Sequence, residues 1–119
     1  EVFSRKIFEY SKPVELLYSL SKFATQKNDI VIDFFSGSGT LANSIIKLNA
    51  NDKGNRKFIM VQLPEECPEK SEAFKAGYKN ICEIGKERIR RAGDKIVEEN
   101  KDKEGIEDLD IGFKVIKIK

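Results

Sequence analysis

The sequence contains no histidine and no tryptophan, and it has only two cysteines and one methionine. Without histidine, Cys67 and Cys82 are too few ligands for a zinc site, and we expect two reduced thiols instead. No apolar run approaches the roughly 20 residues of a membrane-spanning helix. A basic and then apolar leader is also missing, so we expect a cytoplasmic protein with no membrane segment. The net charge of +2 is too small to indicate nucleic-acid binding by itself.

The 119 residues, of which 39% are hydrophobic and 35% charged, suffice for one small domain with a modest core. We therefore expect a single α/β domain over residues 1–119. The chain begins with Glu1, and its methionine is Met60. This predicts that it is a piece of a longer protein, part of whose function lies outside it.

Residues 30–41 form the most informative run of the chain. The apolar stretch over residues 30–34 predicts a short buried strand, and Asp33 lies where that strand ends. Gly37 and Gly39 then permit a tight turn in which no Cβ keeps a ligand away from the backbone. Thr40 opens an amphipathic helix. Because a strand, a glycine turn and a helix N-terminus form a cradle at the carboxyl edge of a parallel sheet, this run predicts a cofactor site.

Hydrophobic periodicity predicts the other elements. They are a helix over 13–27, a second buried strand over 58–61, a short helix over 69–76 and a long helix from Asn80 whose apolar stripe is Ile81, Gly85, Ile89, Ala92 and Ile96. A polar connection over 101–110 leads to a closing strand over 112–119, with Phe113 and Val115 buried. The alternation of helices and strands predicts an open α/β sheet.

Residues 37–42 also satisfy the dinucleotide fingerprint G-x-G-x-x-G/A, so a nicotinamide or flavin site and a plain tight turn are both alternatives. Asp33, however, would repel a pyrophosphate, and no lysine follows the loop as in a P-loop. A cofactor with a cationic end uses Asp33 better. S-adenosylmethionine has an ammonium, a sulfonium and a carboxylate, and the loop amides and the Thr40 hydroxyl suit that carboxylate.

The octapeptide Asp-Phe-Phe-Ser-Gly-Ser-Gly-Thr from Asp33 resembles the cofactor motif of amino-methylating DNA methyltransferases, although Phe34 replaces their usual proline. Residues 8–17 resemble the Phe-x-x-x-Lys-Pro segment of the permuted subclass. Residues 55–65, 87–91 and 110–118 are similar to the modification subunit of type III restriction-modification systems. The resemblance covers nearly the whole chain.

This resemblance implies a Rossmann-like S-adenosylmethionine-dependent methyltransferase fold, with part of a three-layer α/β/α sheet. It also implies an adenine-N6 DNA methyltransferase that acts on DNA, dimerises and joins a restriction subunit. The family's catalytic Pro-Pro-Tyr-type motif is missing because no Pro-Pro pair occurs in the chain. We therefore predict no catalytic residue here, and no activity of the chain alone.

The resemblance and the residues together predict a set of cofactor-binding positions. They are Lys12, Pro13, Asp33, Phe34, Phe35, Ser36, Gly37, Gly39, Thr40, Gln62 and Glu65. Phe34 or Phe35 would pack on adenine or the methionyl chain, with core packing as the alternative. Gln62 or Glu65 would hold the ribose hydroxyls.

Two questions stay open in the sequence. Arg88, Arg90 and Arg91 suit DNA phosphates, but we favour a solvated helix face for the cluster. For the whole chain, a non-catalytic nucleotide-binding or regulatory module and a dinucleotide-binding oxidoreductase domain remain alternatives.

Overall fold

A computed structural model describes residues 13–118. The helices are α1 (Val14–Ala24), α2 (Thr40–Asp52), α3 (Glu72–Lys75) and α4 (Ile81–Glu99), the strands are β1 (Ile30–Asp33) and β2 (Lys57–Met60), and a 3₁₀ turn spans Ile106–Asp108. The helices and strands predicted between residues 13 and 99 are therefore confirmed in kind and order. The described chain is an α/β arrangement in which none of the helices is long and apolar enough to cross a membrane.

Helix α1 ends three residues earlier than predicted, and the cause is local. Thr25, the residue after the helix, has extended backbone angles. Its N–H and its hydroxyl both donate to the Ser21 carbonyl, at 3.0 Å and 2.7 Å. These two bonds satisfy a carbonyl of the last turn and stop the helix at Ala24.

Strands β1 and β2 pair in parallel, with Val31 opposite Phe58 and Ile32 opposite Ile59. Phe58 packs against the helices, whereas the Ile32 and Ile59 side chains on the other face are 51% and 49% exposed. The prediction of two fully buried strands is therefore wrong. Their apolar runs are continuous, but only one face of the strand pair is covered by the described helices, so burial alternates along each strand.

The core lies where α2 crosses α4 and the covered face of the strands. Its buried members are Ala42, Ile46, Ala50, Ile89 and Ile96, with Phe58, Met60, Leu109, Ile111 and Phe113 packed against them. Helix α2 also contacts α1 and is the most enclosed element, since Ile45, Ile46 and Leu48 are 1% exposed or less. This enclosure fixes the start of α2, and with it the end of the glycine turn.

A buried arginine joins three elements at the far end of α2. Arg56 lies just before β2 and donates to both carboxylate oxygens of Asp52, at 3.0 Å and 2.8 Å. Its Nε donates to the Thr25 hydroxyl at 2.7 Å, and Asn49 exchanges two hydrogen bonds with its backbone. Burial acts to raise the pKa of Asp52, but the hydrogen bond and charge of Arg56 outweigh it and hold that pKa below the ordinary 3.8.

The closing strand predicted over residues 112–119 is absent as far as residue 118, the last one described. Ile111 packs on Gly93 of α4, and the Phe113 ring lies 5.4 Å from the Arg90 guanidinium. Val115, predicted to be buried, is 49% exposed. The alternating pattern lacks its expected burial because no described strand lies beside this segment to pair with it.

Candidate functional site

The loop between β1 and α2 has the tight geometry that its glycines predict. Gly37 and Gly39 both have left-handed backbone angles, with φ of +55° and +80°. The Gly39 N–H donates to the Ser36 carbonyl at 2.9 Å, which closes the turn, and Gly39 is the residue that caps α2. Residues with a Cβ adopt this conformation only at a cost, so the predicted requirement for glycine is confirmed at both positions.

The two glycines face different surroundings. A Cβ on Gly37 would have no atom within 4 Å, whereas a Cβ on Gly39 would lie 3.2 Å from the Gly85 carbonyl oxygen and 3.3 Å from Ile89 Cγ1. Gly39 is therefore required for packing against α4. Gly37 leaves its side of the loop open to a ligand.

The end of β2 is tied to this loop. The Gly37 N–H donates to Gln62 Oε1 at 2.8 Å, and the Ser36 N–H donates to the Val61 carbonyl at 3.2 Å. The Gln62 amide nitrogen donates in turn to the Leu63 carbonyl at 3.1 Å. The structure thus brings Gln62 to the glycine loop, at the carboxyl edge of the two parallel strands.

Asp33 and the two phenylalanines after it lie at the same edge. Asp33 Oδ1 accepts the Phe35 N–H at 2.9 Å, which turns the chain sharply out of the strand. Phe34 is 67% exposed and Phe35 is 84% exposed. Neither ring packs into the core formed by the described residues, and both are accessible beside Asp33.

No contact joins the remaining described positions, Glu65 and Pro13, to the glycine loop in the way that Gln62 is joined to it. Glu65 is exposed, and its carbonyl accepts the Ile81 N–H at 2.9 Å, which anchors the segment to the start of α4. Pro13 precedes α1, whose first carbonyl, on Val14, accepts the Ser44 hydroxyl of α2 at 3.0 Å. Lys12 lies outside the described residues.

Sequence reasoning missed the role of Arg88. This residue is only 8% exposed, and its Nη1 donates to Ser38 Oγ at 2.8 Å and to Thr40 Oγ1 at 3.0 Å. A solvated helix face is the wrong description for Arg88, although it is right for Arg90 and Arg91, whose side chains are 55% and 50% exposed. The available signal was the spacing: Arg88 lies one turn after Gly85, on the apolar stripe of the helix.

The Thr40 hydroxyl, predicted to meet the cofactor carboxylate, is buried and directed to Arg88. Near the start of α4, Cys82 Sγ donates to the Gln62 carbonyl at 3.6 Å. Burial raises the pKa of the Cys82 thiol, and Cys67 and Cys82 are both free thiols. Arg88 and Cys82, both on α4, thus contact the Thr40 hydroxyl and the Gln62 backbone.

Two concavities of the described chain lie away from the loop. One of about 420 Å³ is lined by Lys53, Lys103 and Leu109 beside the C-terminal end of α2. Another of about 420 Å³ lies between Arg90 and Phe113. Beside the glycine loop, Phe34 and Phe35 are 67% and 84% exposed, so a ligand bound against them needs further protein surface to enclose it.

Comparison with known proteins identifies the family of this chain. The family model described as DNA methylase matches residues 2–94. The chain therefore belongs to the DNA methylase family.

Within that family it is similar to type III modification subunits, as its motifs predict. It is 39% identical over 114 residues to the Mod subunit of the type III restriction-modification enzyme StyLTI of Salmonella typhimurium. It is 42% identical over 113 residues to the EcoPI Mod subunit of Escherichia phage P1. These alignments cover 96% and 93% of this chain but only 17% and 16% of the relatives, so the chain spans about a sixth of their length. The type II methyltransferase M.KpnI of Klebsiella pneumoniae is 29% identical over 94 residues, which cover 79% of this chain and 22% of that protein.

Proposed function

We propose that this chain is the S-adenosylmethionine-binding part of an adenine-N6 DNA methyltransferase of a restriction-modification system. The observation that carries the proposal is the convergence of Asp33, the open side of Gly37 and Gln62 at one carboxyl edge of two parallel strands. This is the edge at which open α/β sheets bind ligands. Family membership and the similarity to type III Mod subunits support the same function.

The residues present fit the chemistry of the cofactor. Asp33 would attract its ammonium and sulfonium charges. The N–H groups of Ser36, Gly37 and Gly39 already have acceptors within the protein, so a cofactor carboxylate bound to one of them would have to share or replace that bond. The exposed Phe34 and Phe35 rings would pack on adenine or the methionyl chain. No Cβ at Gly37 obstructs close approach of the cofactor to the backbone.

Either Gln62 or Glu65 would hold the ribose hydroxyls. Gln62 Oε1 already accepts the Gly37 N–H, so its use for ribose requires that bond to be shared or broken. Glu65 is exposed three residues further on and offers two carboxylate oxygens. Ser36 contributes loop backbone, and Lys12 and Pro13 stay proposed contacts on the basis of the motif alone.

The chemistry requires more than this chain. When bound, the cofactor supplies an electrophilic methyl group, and the residues described here bind and orient it. Since the chain has no Pro-Pro pair, we place the motif that holds the flipped adenine elsewhere in the longer protein. Catalysis would then consist mainly of aligning the adenine amino nitrogen with the methyl group.

The complete protein would have a three-layer Rossmann-like sheet. Ile32 and Ile59 are about half exposed on the uncovered face of the strands, and covering this apolar surface would stabilise the domain. We propose that further strands and helices of the longer protein cover this face. That protein would act on DNA in the cytoplasm, dimerise and join a restriction subunit.

The experiment is calorimetric titration of the full-length protein with S-adenosylhomocysteine. Asp33→Asn removes the charge with little change of volume, and we expect affinity to fall about tenfold or more. Asp29→Asn is the matched control, because Asp29 lies just before β1, at the opposite end of that strand from the loop. Equal affinity in wild type and Asp33→Asn, or tighter binding of NAD than of S-adenosylhomocysteine, would contradict the proposal.

The alternatives are less well supported. A dinucleotide-binding oxidoreductase would place a pyrophosphate beside the Asp33 carboxylate, which is repulsive. A non-catalytic nucleotide-binding module has no support in the similarity to modification subunits and to a type II methyltransferase.

A further inference from the structure

The glycine loop lies directly on the backbone of α4. A Cβ on Gly85 would lie 3.3 Å from the Gly37 carbonyl oxygen, and a Cβ on Gly39 would lie 3.2 Å from the Gly85 carbonyl oxygen. Both distances are shorter than ordinary van der Waals contact. Because Gly39 and Gly85 have no side chains, the backbone of the loop packs directly against the backbone of α4.

Arg88 lies one turn beyond Gly85 on α4 and binds the loop through its guanidinium. One guanidinium nitrogen donates to the hydroxyls of Ser38 and Thr40, which flank the left-handed Gly39. Ser38 is 2% exposed and Thr40 is 4% exposed. Hydrogen bonds from a charged donor are stronger than neutral ones, so this buried contact restricts the loop on both sides of Gly39.

We propose that Arg88 is a positioning residue for cofactor binding, which keeps residues 37–40 in the conformation that accepts S-adenosylmethionine. The inference rests on the proposed function of the loop. Arg88 approaches the loop from the α4 side, whereas the open side is at Gly37. It therefore acts through Ser38 and Thr40 and does not touch the cofactor.

The physical reason is the population of the binding-competent loop. Without the guanidinium, Ser38 and Thr40 lose a shared donor, and the loop samples other conformations. The apparent dissociation constant rises in proportion as the competent fraction falls. Once the cofactor is bound the loop is ordered again, so the chemical step at saturating cofactor changes little.

The test compares variants of the full-length protein. Arg88→Met removes the donors while keeping an unbranched side chain, and Arg88→Lys keeps the charge but fewer directed donors. Ser38→Ala removes one of the two acceptors, and Arg91→Met is the matched control on the exposed face of the same helix. KM for S-adenosylmethionine, kcat and the Kd of S-adenosylhomocysteine are measured, with circular dichroism to establish folding.

We expect Arg88→Met to raise KM and Kd about tenfold, with kcat within about twofold of wild type. KM and Kd of Arg88→Lys should lie between those of wild type and Arg88→Met, and those of Arg91→Met should match wild type. Adding Ser38→Ala to Arg88→Met should weaken binding little further, because both changes remove the same contact. A purely structural role would lower the active fraction and leave KM unchanged.

Wild-type KM and Kd in a folded Arg88→Met variant would overturn the inference and leave the proposed function intact. If Arg88→Met does not fold, Arg88→Lys and Ser38→Ala decide, and wild-type affinity in both would overturn it. Failure of the wild-type protein to bind S-adenosylhomocysteine would instead reject the proposed function, and this inference with it.

Discussion

Replacing each loop glycine by alanine should separate packing from ligand access. At Gly37 the added Cβ meets no atom within 4 Å, so the cost is the left-handed backbone alone, about 1–2 kcal/mol. At Gly39 the same backbone cost applies, and the Cβ also meets the Gly85 carbonyl oxygen at 3.2 Å and Ile89 at 3.3 Å. Such overpacking adds about 1–3 kcal/mol, so Gly39→Ala should cost about 2–5 kcal/mol in total.

The assay is urea unfolding of both variants beside wild type, followed by titration with S-adenosylhomocysteine. Gly39→Ala should lower the free energy of unfolding by more than Gly37→Ala does. Gly37→Ala should instead lose most of its ligand affinity while staying folded, because its Cβ projects into the side of the loop left open for the cofactor. Equal destabilisation by the two variants would refute the packing argument, and undiminished affinity in Gly37→Ala would refute the placement of the ligand.

Two further predictions concern the opposite end of α2 and the chemistry. The pKa of Asp52 is held below its ordinary 3.8 in the folded chain, so its contribution to stability is present above pH 3.8 and is lost as the pH falls through the lowered pKa. Urea unfolding between pH 6 and pH 2 should therefore show that the free energy of unfolding of Asp52→Asn depends less on acid than that of wild type. An unchanged dependence would contradict the pairing with Arg56. The isolated chain should transfer no tritiated methyl group to mixed-sequence DNA, and it should bind S-adenosylhomocysteine more weakly than the full-length protein does. Methyl transfer by the chain alone would show that it contains the catalytic residues.

The unit formed by β1, the glycine loop and α2 could be predicted from the sequence because its determinants are local. Gly37 and Gly39 permit backbone angles that other residues resist, and Asp33 ends an apolar run. The helical period of apolar residues from Thr40 onward needs no distant partner to be recognised. The predicted amphipathic surface of α2 is wrong, however, because Asn43, Ser44 and Asn49 are buried as well. The family motif carried by the same residues predicted S-adenosylmethionine as the cofactor, whereas the loop pattern alone left the choice of cofactor open.

Tertiary structure decided which side chains are buried and what the polar ones contact. The continuous apolar runs predict fully buried strands, yet Ile32 and Ile59 are about half exposed. The burial of a strand residue depends on which segments cover its face of the sheet. Val115 carries a strand pattern without a described neighbour to pair with. Arg88 looks like one member of a surface cluster, but the bend of the loop onto α4 brings Ser38, 50 positions away, within 2.8 Å of it. A sequence specifies such a contact only through the whole fold, since the donor and acceptor share no local pattern.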